Sequence, residues 1–256
     1  MQSIMNFKII HIAETDSTNQ WLRNEFSAGK LEVYCRESGS LPALNSVVVV
    51  TDYQTAGRGC GTNTWESERG KNLLFSMLIH PTGIAANEQF RITEAVSVAL
   101  CQTLQAYINN KVEIKWPNDI YVGDKKICGI LIENRVQGNI IKDSIIGVGL
   151  NVNQLNFVSD APNPVSLANL TGRLFDTAQL LQELLQAFDE EWADGEGARS
   201  RYLSQLYRRT GFHRYRDALS EFYAELVTVE DDGHLVLRNI DGYEHRYAFK
   251  EVTFII

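Results

Sequence analysis

Four polar stretches carry residue types able to act on a charged substrate. The first, Gln54-Thr55-Ala56-Gly57-Arg58-Gly59-Cys60-Gly61, follows a β-branched run. Its glycines let backbone N–H groups approach an anion closely, and Arg58 adds a planar, two-pronged contact to carboxylate or phosphate. The same residues would equally make a hairpin with one surface arginine. The glycine spacing is not that of a dinucleotide fingerprint, and no helix follows. The second stretch is Lys115-Trp116-Pro117-Asn118-Asp119. Pro117 imposes a bend. A lysine at a strand end, beside Trp and polar groups, can neutralise charge on a transferred phosphoryl group. The alternative is a turn with a solvated lysine and a capping aspartate. Ser17-Thr18-Asn19 offers two hydroxyls and an amide to a polar ligand. Helix-start statistics favour Asp16 or Ser17 simply capping a helix. Gly147-Val148-Gly149-Leu150-Asn151 places two glycines in a strand, a sign of close approach by a ligand or another backbone. Asn151 could then meet a purine edge; a bulge and a polar turn would leave the same trace.

These stretches need elements to hold them. Phe7–Ala13 and Ser46–Tyr53 read as strands, and Trp21, Leu22 and Phe26 after Asp16–Asn19 fall at helical spacing. Gln54 to Lys71 reads as a long loop, and long loops inside compact domains are usually functional. Asn72–His80 is a further strand. Asn87 to Asn110 is the clearest helix, apolar at Phe90, Ile92, Ala95, Val98, Ala99, Leu104 and Tyr107. Short strands follow at Val112–Trp116, Ile120–Val122, Lys126–Asn134 and Ile140–Leu150, with Gly123-Asp124 as a hairpin turn. Ala178–Trp192 is a second amphipathic helix, and Asp194 to Arg199 reads as its frayed end. From about Phe212 only short strands remain, with turns at Asp231-Asp232-Gly233 and Asp241-Gly242. The order predicts a mixed α/β layer followed by a small barrel-like β module.

Composition excludes several classes. The 256 residues carry 24 Lys and Arg against 32 Asp and Glu, a net charge of −8. That balance opposes a general nucleic-acid binder, which needs a basic face, but leaves room for a basic cleft. No apolar run approaches the ~20 residues of a membrane helix, and the N-terminus lacks the pattern of a signal peptide. Cys35, Cys60, Cys101 and Cys128 form no Cys-x-x-Cys pair, so reduced cytosolic thiols are expected in place of zinc or a redox dithiol. The five histidines show no ligand spacing.

Taken together and in this order, the clusters resemble the biotin protein ligases. The matching stretches are ETDSTNQWL, TDYQTAGRG followed by a Trp, GKNLLFSM, KWPNDIYVGDKKICGILIE and IGVGLNVN, with a weaker match in PVSLANLTG. The resemblance implies an α/β (α+β) fold: a mixed-sheet, class II synthetase-like catalytic domain over residues 1–208 and a small C-terminal SH3-like β-barrel over residues 209–256. It implies a ligase using ATP and Mg²⁺ that converts biotin to biotinyl-5′-AMP and passes it to a lysine of a biotin carboxyl carrier protein. The catalytic residues so implied are Lys115 and Arg58. The implied biotin-binding set is Ser17, Thr18, Asn19, Gln54, Gly57, Arg58, Gly59, Cys60, Lys115 and Gly129. The implied ATP-binding set is Arg58, Trp65, Lys115, Asn118 and Asn151, and no residue is assigned to Mg²⁺. The stretch from Gln54 to Lys71 would be the lid over the adenylate. A cytoplasmic enzyme with no membrane or nucleic-acid partner is expected. Relatives are monomers or dimers, and Ile140–Leu150 could pair across a homodimer axis.

The sequence departs from the family in one place that matters. The family loop usually reads Gly-Arg-Gly-Arg with another basic residue soon after; here Cys60 and Asn63 stand at those positions. A neutral thiol cannot hold an adenylate by charge, so Arg69 or Lys71 is expected to compensate in part. The match begins at about residue 7, so the form without an N-terminal helix-turn-helix is expected. Three rival readings are a biotin-sensing repressor, a lipoate ligase or octanoyltransferase, and a silent biotin-binding module. The acidic balance, the pairing of KWPND with QTAGRG, and the presence of both Arg58 and Lys115 speak against them in turn.

Overall fold

A computed structural model of the chain describes residues 5–31, 46–158 and 163–256; Cys35 lies outside them. Seven strands build the main sheet: β1 (Phe7–Ile12), β2 (Ser46–Thr51), β3 (Leu73–Ile79), β4 (Val112–Lys115), β5 (Asp119–Val122), β6 (Lys125–Gln137) and β7 (Ile140–Leu150). Their spatial order is β1-β2-β3-β7-β6-β5-β4. β1 and β2 are parallel and the other neighbours antiparallel, so the sheet is mixed. β7 is an interior strand, hydrogen-bonded to β3 on one side and β6 on the other. Its edges are used, which rules out the expected pairing of Ile140–Leu150 across a dimer axis.

Alternation along the central strands sends side chains to two layers. Val48, Phe75, Met77 and Ile146 face a core completed by α2 (Phe90–Gln105). That helix is buried on nearly all sides because α4 (Thr177–Ala193) and α5 (Gly195–Ser204) cover its outer face. Val47, Val49, Leu78 and Ile145 face the other way, onto Leu22 of α1 (Thr18–Ser27). A short α3 (Leu167–Thr171) is capped by Ser166, whose hydroxyl accepts the Asn169 amide.

The stretch expected to be a frayed end is the start of α5. Gly195 and Gly197 disfavour a helix, and tertiary contacts override them. Arg201 donates to Glu191 and Asp194, buried Tyr202 donates to the Pro117 carbonyl (3.1 Å), and Arg199 pairs with buried Glu94 (2.5 Å).

The C-terminal strands β8 (Phe212–Arg216), β9 (Glu221–Val229), β10 (Leu235–Asn239), β11 (Glu244–Tyr247) and β12 (Thr253–Phe254) form a second, antiparallel sheet in the order β11-β10-β9-β8-β12. Arg199 ties it to the helices through the Val229 carbonyl and Asp231. Trp116 Nε1 donates to the Gly233 carbonyl (2.9 Å), and the bare Cα of Gly233 lies against the Phe90 ring. No helix among the described residues is long and apolar enough to cross a membrane.

Candidate active site

The site is built on one row of the sheet. Lys115 pairs with Asp119, Asp119 with Gly129, and Gly129 with Gly149, so these four residues of β4, β5, β6 and β7 share a face. Gly147 lies two residues before Gly149 and hence on the same side. Side chains of two distant segments lie against the two glycines. A methyl group at Gly149 would stand 2.5 Å from Trp65 Cε2, and one at Gly129 would stand 2.9 Å from Cζ3 of the same ring. A methyl group at Gly147 would collide with the Asn19 carboxamide. The missing side chains let the indole and the start of α1 settle directly on the sheet.

Thr18 and Asn19 are thereby fixed. Gln54 Oε1 accepts from the Thr18 amide (2.9 Å) and hydroxyl (3.1 Å). Ser76 donates to Asn19 Oδ1 (2.5 Å), and Asn19 Nδ2 donates to Glu133 (2.9 Å). The first helical amide is therefore satisfied by Gln54 from a distant segment. Ser17 occupies the cap position but makes no capping bond; its amide is held by Asp16 (2.7 Å). The expected Ser17 or Asp16 side-chain cap on the first turn is thus replaced, and Ser17 is among the residues lining the cavity.

The glycine-rich stretch is a tight hairpin. Gly59 donates to the Asn63 carbonyl (2.8 Å) and Trp65 to the Gly57 carbonyl (2.9 Å). Its far end is tied down by Gly70, which donates to the Asp52 carbonyl, and by Glu68, which donates to Gln154. Below it lies a cavity of about 920 Å³. Ser17, Thr18, Asn19, Gln54, Arg58, Gly59, Cys60, Trp65, Lys115, Asn118, Gly129 and Asn151 all line it. Gly57 does not: its Cα packs under the Trp65 carbonyl, where a side chain would collide. Arg69 and Lys71 do not line it either. Arg69 pairs with Glu14 and lies 4.5 Å over the Tyr53 ring, so neither supplies the charge absent at Cys60.

Charge in the cavity runs against that of the chain. Arg58, Lys115, Lys126 and Lys250 line it, against two carboxylates, Glu66 and Asp119. Lys126 and Lys250 were not foreseen: Lys126 lies within the KWPNDIYVGDKKICGILIE stretch, where Lys115, Asn118 and Gly129 alone stand as expected site residues, and Lys250 lies in the turn between β11 and β12, outside every motif. Lys126 pairs with Asp119 (2.6 Å) and lies 5.7 Å from the Trp65 ring. Lys115 sits between the Tyr121 and Phe254 rings, at 5.1 and 5.2 Å. Burial pushes its ammonium below the usual lysine range; Asp119 opposes this shift, while Lys126 and Arg208 add to it. Such a group gains most from an anion arriving beside it. Two buried polar atoms of lining residues, Trp65 Nε1 and Asn151 Oδ1, have no hydrogen-bond partner among the described residues. Asn151 Nδ2 is used on the Val165 carbonyl (3.1 Å), and Asn118 Nδ2 on the Ile130 carbonyl (2.5 Å).

The same stretch of chain has recognisable relatives. Residues 15–151 match the model of the biotin/lipoate A/B protein ligase family. The chain belongs to that family. It is 30% identical over 216 residues to the bifunctional ligase/repressor BirA of Bacillus spizizenii, covering 80% of this chain and 66% of that protein, just under two thirds of its length. It is 28% identical over 247 residues to the biotin–[acetyl-CoA-carboxylase] ligase of Paracoccus denitrificans, covering 90% of this chain and 94% of the relative. Its fold is similar to that of the biotin protein ligase of Aquifex aeolicus in complex with biotin and ATP, with a TM-score of 0.72 at 20% identity over 96% of this chain and 97% of the other. The family match takes in strands β2 to β7, the hairpin and the Lys115 turn, while β1 and Lys250 lie outside it.

Proposed function

We propose that the chain joins biotin to ATP and transfers the biotinyl group to a lysine of a biotin carboxyl carrier domain. The observation that carries this reading is the cation-lined cavity under the hairpin, set in an acidic chain of the ligase family. In the first step a carboxylate oxygen of biotin attacks the α-phosphorus of ATP and pyrophosphate leaves. Two anions must meet, and Arg58 and Lys115 reduce their repulsion where charge builds up. In the second step the carrier's lysine amine attacks the acyl carbon, AMP departs and the amine loses a proton. The hairpin from Gln54 to Lys71 is the lid that keeps water from the mixed anhydride.

Polar groups for a ureido ring lie at the α1 end of the cavity, at Ser17, Thr18, Asn19 and Gln54. Trp65 and Asn151, both on the cavity wall, are the groups we assign to the nucleotide. Mg²⁺ takes oxygen donors and keeps several waters, commonly using one or two carboxylates plus substrate phosphates. Asp119 and Glu66 are the lining carboxylates that fit that donor set. Bound there, the ion would share the phosphate charge. The other carboxylate cluster of ligand type, Glu230, Asp232 and His234, lies off the cavity and is paired with Arg246. The name of the Paracoccus denitrificans relative supports a carboxylase carrier as the protein substrate. The free thiols of Cys60, Cys101 and Cys128 suit the cytoplasm, and the acidic balance argues against a nucleic-acid partner. We divide the chain into catalytic and C-terminal parts at residues 208 and 209, and leave a homodimer only to surfaces other than β7.

The test is incubation with ATP, Mg²⁺, biotin and an apo carrier domain, followed by intact mass measurement. One biotinyl group on the carrier lysine is the expected result. Biotin-independent or lipoate-dependent ATP–pyrophosphate exchange would refute the reading.

A further inference from the structure

We propose that Lys250, from the C-terminal sheet, supplies the positive charge that the glycine-rich hairpin lacks at Cys60, and that it contacts the phosphates of ATP; this rests on the ligase reading above. Lys250 lines the same cavity as Arg58 and Lys115. Its ammonium lies against Gly61, beside Cys60, so closely that a methyl group at Gly61 would overlap it. The charge therefore stands over the hairpin at the position following the neutral thiol. Among the described residues it has no carboxylate partner, whereas Lys126 is paired with Asp119. Arg58, Lys115 and Lys250 are the cations left to meet a triphosphate.

The backbone is built to aim this side chain. Lys250 has φ 71°, and Arg208 is the other non-glycine residue with positive φ among those described. Left-handed backbone at a long side chain is strained and persists only where the surroundings hold it. They do hold it. The Ala248 amide donates to the Glu251 carboxylate (2.7 Å) and the Glu251 amide to the Ala248 carbonyl (3.1 Å), closing the turn. Phe249 meets Trp116 edge-on at 6.3 Å, directly after Lys115 in the chain. One aromatic pair thus ties together two cations, one ending β4 and the other in the turn between β11 and β12.

This strain supplies a clean variant. Lys250→Gly removes the charge and also relieves the backbone, so loss of folding cannot account for loss of nucleotide binding. The measurements are ATP affinity by calorimetry, KM for ATP in biotin-dependent pyrophosphate exchange, biotin affinity without nucleotide, and Tm. Loss of one charge-assisted contact should raise Kd and KM for ATP roughly tenfold or more. Biotin affinity should stay within twofold, and Tm should be equal or higher. Cys60→Arg should restore most of the lost ATP affinity in the Lys250→Gly background and add less to the parent. An ATP affinity within twofold of the parent would overturn the inference, as would a parallel loss of biotin binding and Tm. If the parent itself shows no biotin-dependent exchange, the ligase reading fails and this inference with it. A parent that exchanges normally beside an unchanged variant brings down Lys250 alone.

Discussion

Adding one methyl group at Gly149 should reach the glycine-rich hairpin through the floor of the cavity. The new Cβ would stand 2.5 Å from Trp65 Cε2, 2.7 Å from Nε1 and 2.9 Å from Cδ2. Carbon atoms rest at about 3.5–4.0 Å, so the overlap is roughly 1 Å. The strand cannot yield, because Gly149 is paired with Leu74 on one side and Gly129 on the other. The indole must move, and the hairpin with it, since the Trp65 amide is bonded to the Gly57 carbonyl. Overpacking of this kind costs about 1–3 kcal/mol, and each kcal/mol lowers Tm by about 2–4 °C in a chain of this size.

The decisive form of the experiment is a double-mutant cycle with Trp65→Ala, read by thermal and denaturant unfolding. Trp65→Ala alone should cost less than the ~3–5 kcal/mol of a fully buried aromatic, because the ring is only partly buried. In that background the added methyl group enters vacated space, so the Gly149→Ala penalty should fall below about 0.5 kcal/mol. The coupling energy should then be at least about 1 kcal/mol, well outside the error expected for independent sites. Equal penalties in both backgrounds would refute the steric argument, and with it the claim that these glycines exist to seat the indole.

Three further outcomes follow from groups around the site. Lys115→Ala should lower biotin-dependent exchange by about 10²–10³; because burial holds the Lys115 pKa below its usual range, ATP binding to the parent at alkaline pH should take up a proton, seen by calorimetry in buffers of different ionisation enthalpy and absent in the variant. Burial raises the Glu94 pKa despite the Arg199 pair, so its contribution is fully present below the usual glutamate value of ~4.3 and is lost as pH rises through the folded value; Glu94→Gln should accordingly stabilise the protein at pH 7 and not at pH 4, and an identical change at both values would refute this. Gln54→Ala removes the acceptor for the Thr18 amide and hydroxyl and should lower stability by about 1 kcal/mol while weakening biotin binding in calorimetry.

The parts of this protein that could be read from sequence are those where local pattern and global role coincide. The β-branched run at Ser46, the apolar periodicity of α2 and the turn glycines at 123, 233 and 242 each point to a single local structure, and the elements stand within a few residues of their expected limits. Arg58 and Lys115 were legible because glycines and a proline flank them. What escaped depends on partners distant in sequence. Gln54 caps a helix 36 residues before it, which no cap rule anticipates. The glycine pair in β7 could be seen to admit something, but its occupants, Asn19 and Trp65, come from segments 80 or more residues away. α5 forms despite two glycines because Arg199, Arg201 and Tyr202 find buried or half-buried partners on other elements. The charge missing from the hairpin at Cys60 is expected nearby, at Arg69 and Lys71, because sequence reasoning weights neighbours; the fold instead brings the Lys250 ammonium against Gly61 from the far end of the chain. A chain of net charge −8 thus assembles a cationic cavity by drawing single basic residues from separate strands, a hairpin and a C-terminal turn, and such a pattern exists in the folded chain alone.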